Sequence, residues 1–233
     1  MSIYGKALAA AFAVLLPACA AAQGGSPTDG KSPTARRMER QGLVDVTSVD
    51  STIQVSLMYA RADNFTGKVL YADLREAYLH PKAAKALAKA QAILKAVRPD
   101  LSLKVYDAAR PMSIQQVMWN TVAGTSKNIY VSNPRNGGGM HNYGLAVDIT
   151  LCDALTGDTL SMGTGIDFMG KEAHITDEAS LVQRGVMTEE AKENRRLLRS
   201  VMTEAGFTPL RTEWWHFNLV SRAVAKKYYK VIR

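Results

Sequence analysis

GMHNYGLAVDIT, residues 139–150, decides how the chain is read. From Leu145 the apolar residues Leu145, Val147, Ile149 and Leu151 alternate with Ala146, Asp148 and Thr150, the period-two pattern of a β-strand. Asp148 sits inside that strand, and a buried carboxylate without a partner is very costly. His141 stands seven residues earlier, behind the glycine-rich run Asn136-Gly137-Gly138-Gly139-Met140, where backbone can approach a bound species closely. Two arrangements satisfy both side chains: a shared metal ion, or a closed core pair.

Outward from this strand, a turn at Thr156-Gly157-Asp158 predicts a hairpin. Upstream, His80-Pro81 opens a helix with proline in the first turn, where its missing N–H costs nothing. Ala83, Leu87, Ala90, Leu94 and Val97 give that helix one apolar face, and Arg98-Pro99-Asp100 ends it. Leu101, Leu103 and Val105 alternate with Ser102 and Lys104, which predicts a half-buried strand. Arg110-Pro111 breaks it, a short helix follows from Ser113 to about Val122, and residues 125–139 read as loop. A long helix is expected from about Glu189 to Ala205, with Gly206 just past its end. Trp214 to Val220 is the last strand. Helices alternating irregularly with hairpin-linked strands predict an α+β fold, a single compact domain with a central, mainly antiparallel sheet flanked by helices.

The ends and the composition set the context. Lys6 precedes an uncharged apolar run bounded by small residues, so residues 1–22 read as an export signal. Leu16-Pro17-Ala18-Cys19 resembles a lipoprotein box; lipidation at Cys19, ordinary cleavage near Ala20 or Ala22, and a retained membrane anchor are the alternatives. Residues 23–41, rich in Gly, Ser, Pro, Thr and Arg, read as a flexible linker, leaving 42–233 as the domain. The expected location is therefore the periplasm or cell envelope. With 47% hydrophobic and 21% charged residues, the chain has the composition of a globular protein. Its net charge of +8 is dispersed, with no basic helix or aromatic platform, so nucleic acid is not an expected partner. Of two cysteines one lies in the signal, so Cys152 is expected to be a small buried hydrophobe without a disulfide.

Further residues with chemical potential lie in two short motifs. In Glu213-Trp214-Trp215-His216, a histidine can bind metal while a glutamate three residues earlier reaches a water on it. Residues three apart in a flat strand face opposite sides, so the two meet only if Glu213 lies at the strand end or on a bulge. A buried aromatic strand with an edge glutamate is the alternative. Arg110, in Asp107-Ala108-Ala109-Arg110-Pro111, either presents a fork of donors to a developing oxyanion or is a surface arginine paired with Asp107. His80 is assigned to the helix start, and His174 to the surface.

Together these segments resemble the VanX-type D-alanyl-D-alanine dipeptidases, zinc enzymes within the group of peptidoglycan-cleaving D,D-peptidases. The resemblance runs through YARADNFTG (59–67), DAARP (107–111), HNYGLAVDITL (141–151), MGTGIDFM (162–169), NRRLLRSVMTEAGF (194–207) and EWWHF (213–217). It implies one Zn2+ per chain held by His141, Asp148 and His216, with Glu213 as catalytic base and Arg110 facing the substrate carbonyl. It further implies that Tyr59 and Asp167 hold the free amino end of a small dipeptide. Two departures stand out. Gly139 and Met140 replace serines that best-known members carry before the metal histidine, and the export signal contrasts with commonly cytoplasmic relatives. An exported zinc carboxypeptidase or endopeptidase acting on longer peptidoglycan fragments is thus the rival reading. A catalytically silent zinc-stabilised binding module is opposed by the presence of both Glu213 and Arg110.

Overall fold

The computed structural model describes Met1 and residues 30–233. The export signal and the first part of the linker lie outside these residues. The rest of the expected linker is corrected. Pro33–Arg40 is a helix (α1), capped by the Ser32 hydroxyl with proline in its first turn. Its Ala35 and Met38 are buried, so the compact unit begins at Ser32 rather than at 42. Two apolar residues in eight are too few to show as a helical period.

The main elements fall where the apolar spacing puts them. The helix Pro81–Val97 (α3) is capped by His80, whose Nδ1 accepts from the Lys82 amide at 3.2 Å. It is followed by strand Leu101–Asp107 (β4), helix Met112–Val122 (α4), strand Ala146–Asp153 (β5), helix Glu189–Glu204 (α6) and strand Glu213–Asn218 (β7). Shorter pieces complete the unit: strands Val44–Asp45 (β1), Gln54–Val55 (β2), Tyr78–Leu79 (β3) and Thr208–Leu210 (β6), and helices Val46–Val49 (α2), Glu178–Gln183 (α5) and Arg222–Tyr228 (α7). A five-stranded sheet runs β2-β4-β5-β7-β6, parallel only at β2-β4 and antiparallel elsewhere, and β1 pairs with β3 separately. The fold is α+β, with α3 and α6 packed on the sheet and on each other. Among the described residues no helix is long and apolar enough to cross a membrane.

Two sequence expectations need adjustment. β4 is not half-buried: Ser102 is as enclosed as Leu103, because its hydroxyl is taken by Gln91 of α3 and the Thr52 carbonyl. The hairpin after β5 shrinks to a turn closed by Gly157 N–H on Asp153 O and a single bridge from Cys152 to Thr159. β7 pairs only with Ala146 to Asp148, so the far end of β5 is an open edge that residues 158–160 cover. Cys152 is buried, as expected.

Register is what builds the site. Leu101 to Val105 pair with Asp153 to Ile149 one for one, and then the ladder slips at Tyr106, so Asp107 opposes Asp148 instead of Val147. A bulge of this kind re-aims one strand against its neighbour. On the other side of β5, Asp148 lies directly opposite His216. Val147, Ile149 and Leu151 alternate to the opposite face, where they are fully buried.

Candidate metal centre

Cross-strand pairing brings Asp148 and His216 together, and the turn before β5 supplies His141. The 3-10 turn Met140–Tyr143 ends at Gly144, whose left-handed backbone (φ +65°) and close approach to the His80 amide leave no room for a side chain. His141 Nε2 lies 3.2 Å from Asp148 Oδ2 and 3.2 Å from His216 Nδ1, and His216 Nδ1 lies 2.9 Å from Asp148 Oδ1. All three side chains are buried, and their ligand atoms lie within 4.8 Å of one another.

The hydrogen bonds around this cluster suit it to hold a cation. His141 Nδ1 donates to the Ala108 carbonyl at 2.8 Å, and His216 Nε2 to Asn218 Oδ1 at 2.9 Å. Each ring thereby turns its other nitrogen, His141 Nε2 and His216 Nδ1, toward Asp148 and toward the other ring. Two imidazole nitrogens and a carboxylate converge in a buried space, a donor set that a positive ion between them would satisfy. Outer partners that fix the imidazoles in this way are the usual accompaniment of metal-binding histidines. Burial works to raise the Asp148 carboxyl, but His141 and His216 outweigh it and hold it below the ordinary range. The cluster is also more than the closed core pair of His141 and Asp148, because a third side chain, His216, shares the space.

Glu213 is the first residue of β7, at an irregularity where Leu210 opposes Glu213 while Pro209 opposes Phe217. This meets the geometric condition that its spacing from His216 imposed. Its Oε2 lies 3.9 Å from His216 Nδ1, near the ligand set without joining it. Burial pushes its carboxyl up to about 7, against the opposing pull of His216.

Arg110 is paired with Asp107, but not on the surface. Both are buried, with Nε and Nη2 donating to Asp107 Oδ2 and Nη1 donating to Gln115 Oε1 at 2.9 Å. Tyr71 donates to the other oxygen of Asp107 at 2.6 Å. Of five guanidinium N–H groups three are thus occupied, and one hydrogen on each terminal nitrogen remains for a ligand. Arg110 and His141 brace each other: the Arg110 amide donates to the His141 carbonyl, and Asn142 Nδ2 to the Arg110 carbonyl. Ile232 clasps both segments, its amide on Asn142 O and its carbonyl on the Met112 amide.

His141, Asp148, His216, Glu213, Arg110 and Gln115 line one cavity of about 380 Å³, within the usual size of small-ligand clefts. At one side Tyr59 donates to Asp167 Oδ2 at 2.7 Å, with the Arg110 guanidinium 5.2 Å over the tyrosine ring. Asp167 is pushed up to about 7 by burial and then by Asp148. It is the one non-glycine residue with positive φ (+64°) among the described residues. The Ser132 hydroxyl fills the space beside Gly139, where an added Cβ would lie 2.9 Å from it. All seven residues singled out from the sequence therefore meet at this cavity, while His80 and His174 do not line it. Tyr71, Asp107 as a brace, Gln115, Asn142 and Asn218 were not foreseen, because their roles rest on contacts between distant segments.

Comparisons with known proteins agree with this geometry. A family model described as D-ala-D-ala dipeptidase matches residues 39–233. The chain is 36% identical over 181 residues to a D-alanyl-D-alanine dipeptidase of Escherichia coli (strain K12), covering 78% of this chain and 86% of that protein. A protein of the same name from Streptomyces coelicolor is 32% identical over 203 residues, 79% of this chain and 94% of its own. One from Enterococcus faecalis is 31% identical over 189 residues, with coverage of 73% and 88%.

Proposed function

The chain belongs to the D-ala-D-ala dipeptidase family of metallopeptidases, and from that premise we propose that it is a zinc-dependent dipeptidase hydrolysing D-alanyl-D-alanine or a related small D-amino-acid dipeptide. His141 Nε2, the Asp148 carboxylate and His216 Nδ1 would hold the ion. Tetrahedral zinc, with bonds of about 2.0–2.1 Å, places its ligands roughly 3.3 Å apart. The observed 2.9–3.2 Å separations suit that donor set. Bound zinc supplies Lewis acidity, polarising the substrate carbonyl and lowering the pKa of water from 15.7 toward about 7.

The remaining chemistry belongs to the side chains. Glu213 takes the proton of the attacking water and returns it to the leaving amine. The two unoccupied N–H groups of Arg110 face the oxygen of the peptide carbonyl and hold its growing charge, and Asp107, Tyr71 and Gln115 keep that fork from swinging. Asp167, supported by Tyr59, receives the substrate ammonium.

The observation that carries the dipeptidase reading is the half-buried Asp167 carboxyl facing the cavity. Among the described residues it hydrogen-bonds to neutral Tyr59 and forms no ion pair, with Arg110 acting on it only from beyond contact, so it is suited to a free amino terminus. A longer peptidoglycan fragment entering with a blocked amine would leave that charge unmatched. We further propose that the protein acts in the cell envelope, a reading supported by the apolar leader of residues 7–22. The experiment is hydrolysis of D-Ala-D-Ala against its N-acetyl form and longer muropeptides, with metal content measured in parallel. Preference for the free dipeptide is expected; faster cleavage of the longer substrates would replace this reading with the carboxypeptidase or endopeptidase one.

A further inference from the structure

Arg195 is a fully buried cation, 1% exposed, outside the cavity and without a part in the chemistry above. Burying a guanidinium is costly unless its donors are satisfied, so where those donors go shows what the burial is for. Among the described residues, the hydrogen bonds its guanidinium donates within 3.5 Å end on residues 162–172. Nε donates to the Met162 carbonyl at 2.6 Å, Nη1 and Nη2 to the Glu172 carbonyl at 3.1 Å, and Nη2 to Thr164 Oγ1 at 3.3 Å. Glu178 balances the charge from 3.7 Å, itself held by Arg199.

The segment so gripped carries Asp167; besides these bonds it has the Tyr59 hydrogen bond to Asp167 and the core packing of Met162, Ile166 and Met169, but little backbone pairing. None of residues 161–169 donates a backbone–backbone hydrogen bond. Its backbone passes through left-handed conformations at Gly163 and at Asp167, the second of which an L-residue adopts at a cost. Side chains of α6 and β7 do the anchoring: Asn194 Nδ2 on Ser161 O, Arg195 on both ends of the loop, and Trp214 Nε1 on Thr164 Oγ1 at 2.8 Å. The Arg195 guanidinium also lies 5.4 Å from the Trp214 ring, next in sequence to Glu213.

We propose that Arg195 is a positioning residue: by pinning Met162 and Glu172 it fixes the left-handed turn that presents Asp167 to the substrate's amino end. This rests on the reading of Asp167 given above. Lysine in place of arginine keeps the charge but cannot bridge both loop ends, since it lacks the planar fork.

The test is a double-mutant cycle on D-Ala-D-Ala hydrolysis with the zinc-loaded protein, comparing Arg195→Lys, Asp167→Asn and the double variant. Losing charge-assisted hydrogen bonds of this kind predicts a KM raised about 10-fold or more in Arg195→Lys, with zinc content unchanged and kcat altered much less. In the Asp167→Asn background the same change should add nothing, because the residue it positions is already neutral. An unchanged KM in Arg195→Lys, or an additive effect in the double variant, overturns the proposal. Thr164→Val, which removes one anchor with little change in volume, carries the same cycle if Arg195→Lys does not fold. A KM untouched by Asp167→Asn alone would instead strike the amino-end reading, and the proposal with it.

Discussion

Replacing Asp167 by asparagine should make the protein more stable and less able to bind its substrate. The carboxyl is raised from 3.8 to about 7, first by burial and second by Asp148. The native state therefore holds this proton more tightly than the unfolded chain does. Below about pH 3 the group is protonated in both states and costs nothing; as pH rises toward 7 the unfolded state ionises first and stability is lost, levelling off above 7. Three units correspond to a ceiling of about 4 kcal/mol, which residual solvent contact reduces to roughly 1–3 kcal/mol. Asparagine suits the left-handed backbone at this position and keeps an acceptor for the Tyr59 hydroxyl. Thermal unfolding of both proteins in chelator, from pH 4.5 to 8.5, reads the difference without metal linkage. At about 2–4 °C per kcal/mol, the variant should melt several degrees higher at pH 8, with the gain shrinking to about 1 kcal/mol or less by pH 4.5. A gain independent of pH, or none at pH 8, would refute the argument.

Three other outcomes follow from the geometry. Glu213→Ala should retain one zinc per chain and lose nearly all turnover; substantial remaining activity would remove Glu213 from the proton path. Arg110→Lys, which cannot hold Asp107 and Gln115 and still face a ligand, should lower kcat by about 10²- to 10³-fold with zinc retained. Deleting residues 230–233 removes the Ile232 clasp on Asn142 and Met112, and should weaken zinc binding or activity by about 10- to 100-fold, measured by metal titration and steady-state rates.

The parts of the fold legible in the sequence were those with a strong period. The apolar face of α3 and the alternation in β5 place both elements to within a residue, and α6 is framed by Glu189 and Gly206. Helix α1 and the two-residue strands have too few apolar positions to carry a period, and what fixes them is tertiary contact. The site divides along the same line. Asp148 and His216 stand out because ionisable side chains in apolar strands demand a partner, and His141 because it stands just ahead of Asp148 behind a glycine-rich run. The condition placed on Glu213 was also readable, since a three-residue spacing requires a break in the strand. Asp107 gave no such signal: its role depends on the slip at Tyr106, which sequence alternation does not reveal. Arg195 was hidden for a different reason, as one basic residue among several on a polar helix whose buried side only packing defines.

The claim on which the account stands is that His141 Nε2, Asp148 and His216 Nδ1 hold a single zinc ion. Anomalous diffraction at the zinc edge from crystals of the zinc-loaded protein tests it most directly. One peak per chain is expected about 2.0–2.2 Å from all three side chains, and none in His216→Ala crystals. An active protein whose zinc peak lies elsewhere, or persists in that variant, would contradict it.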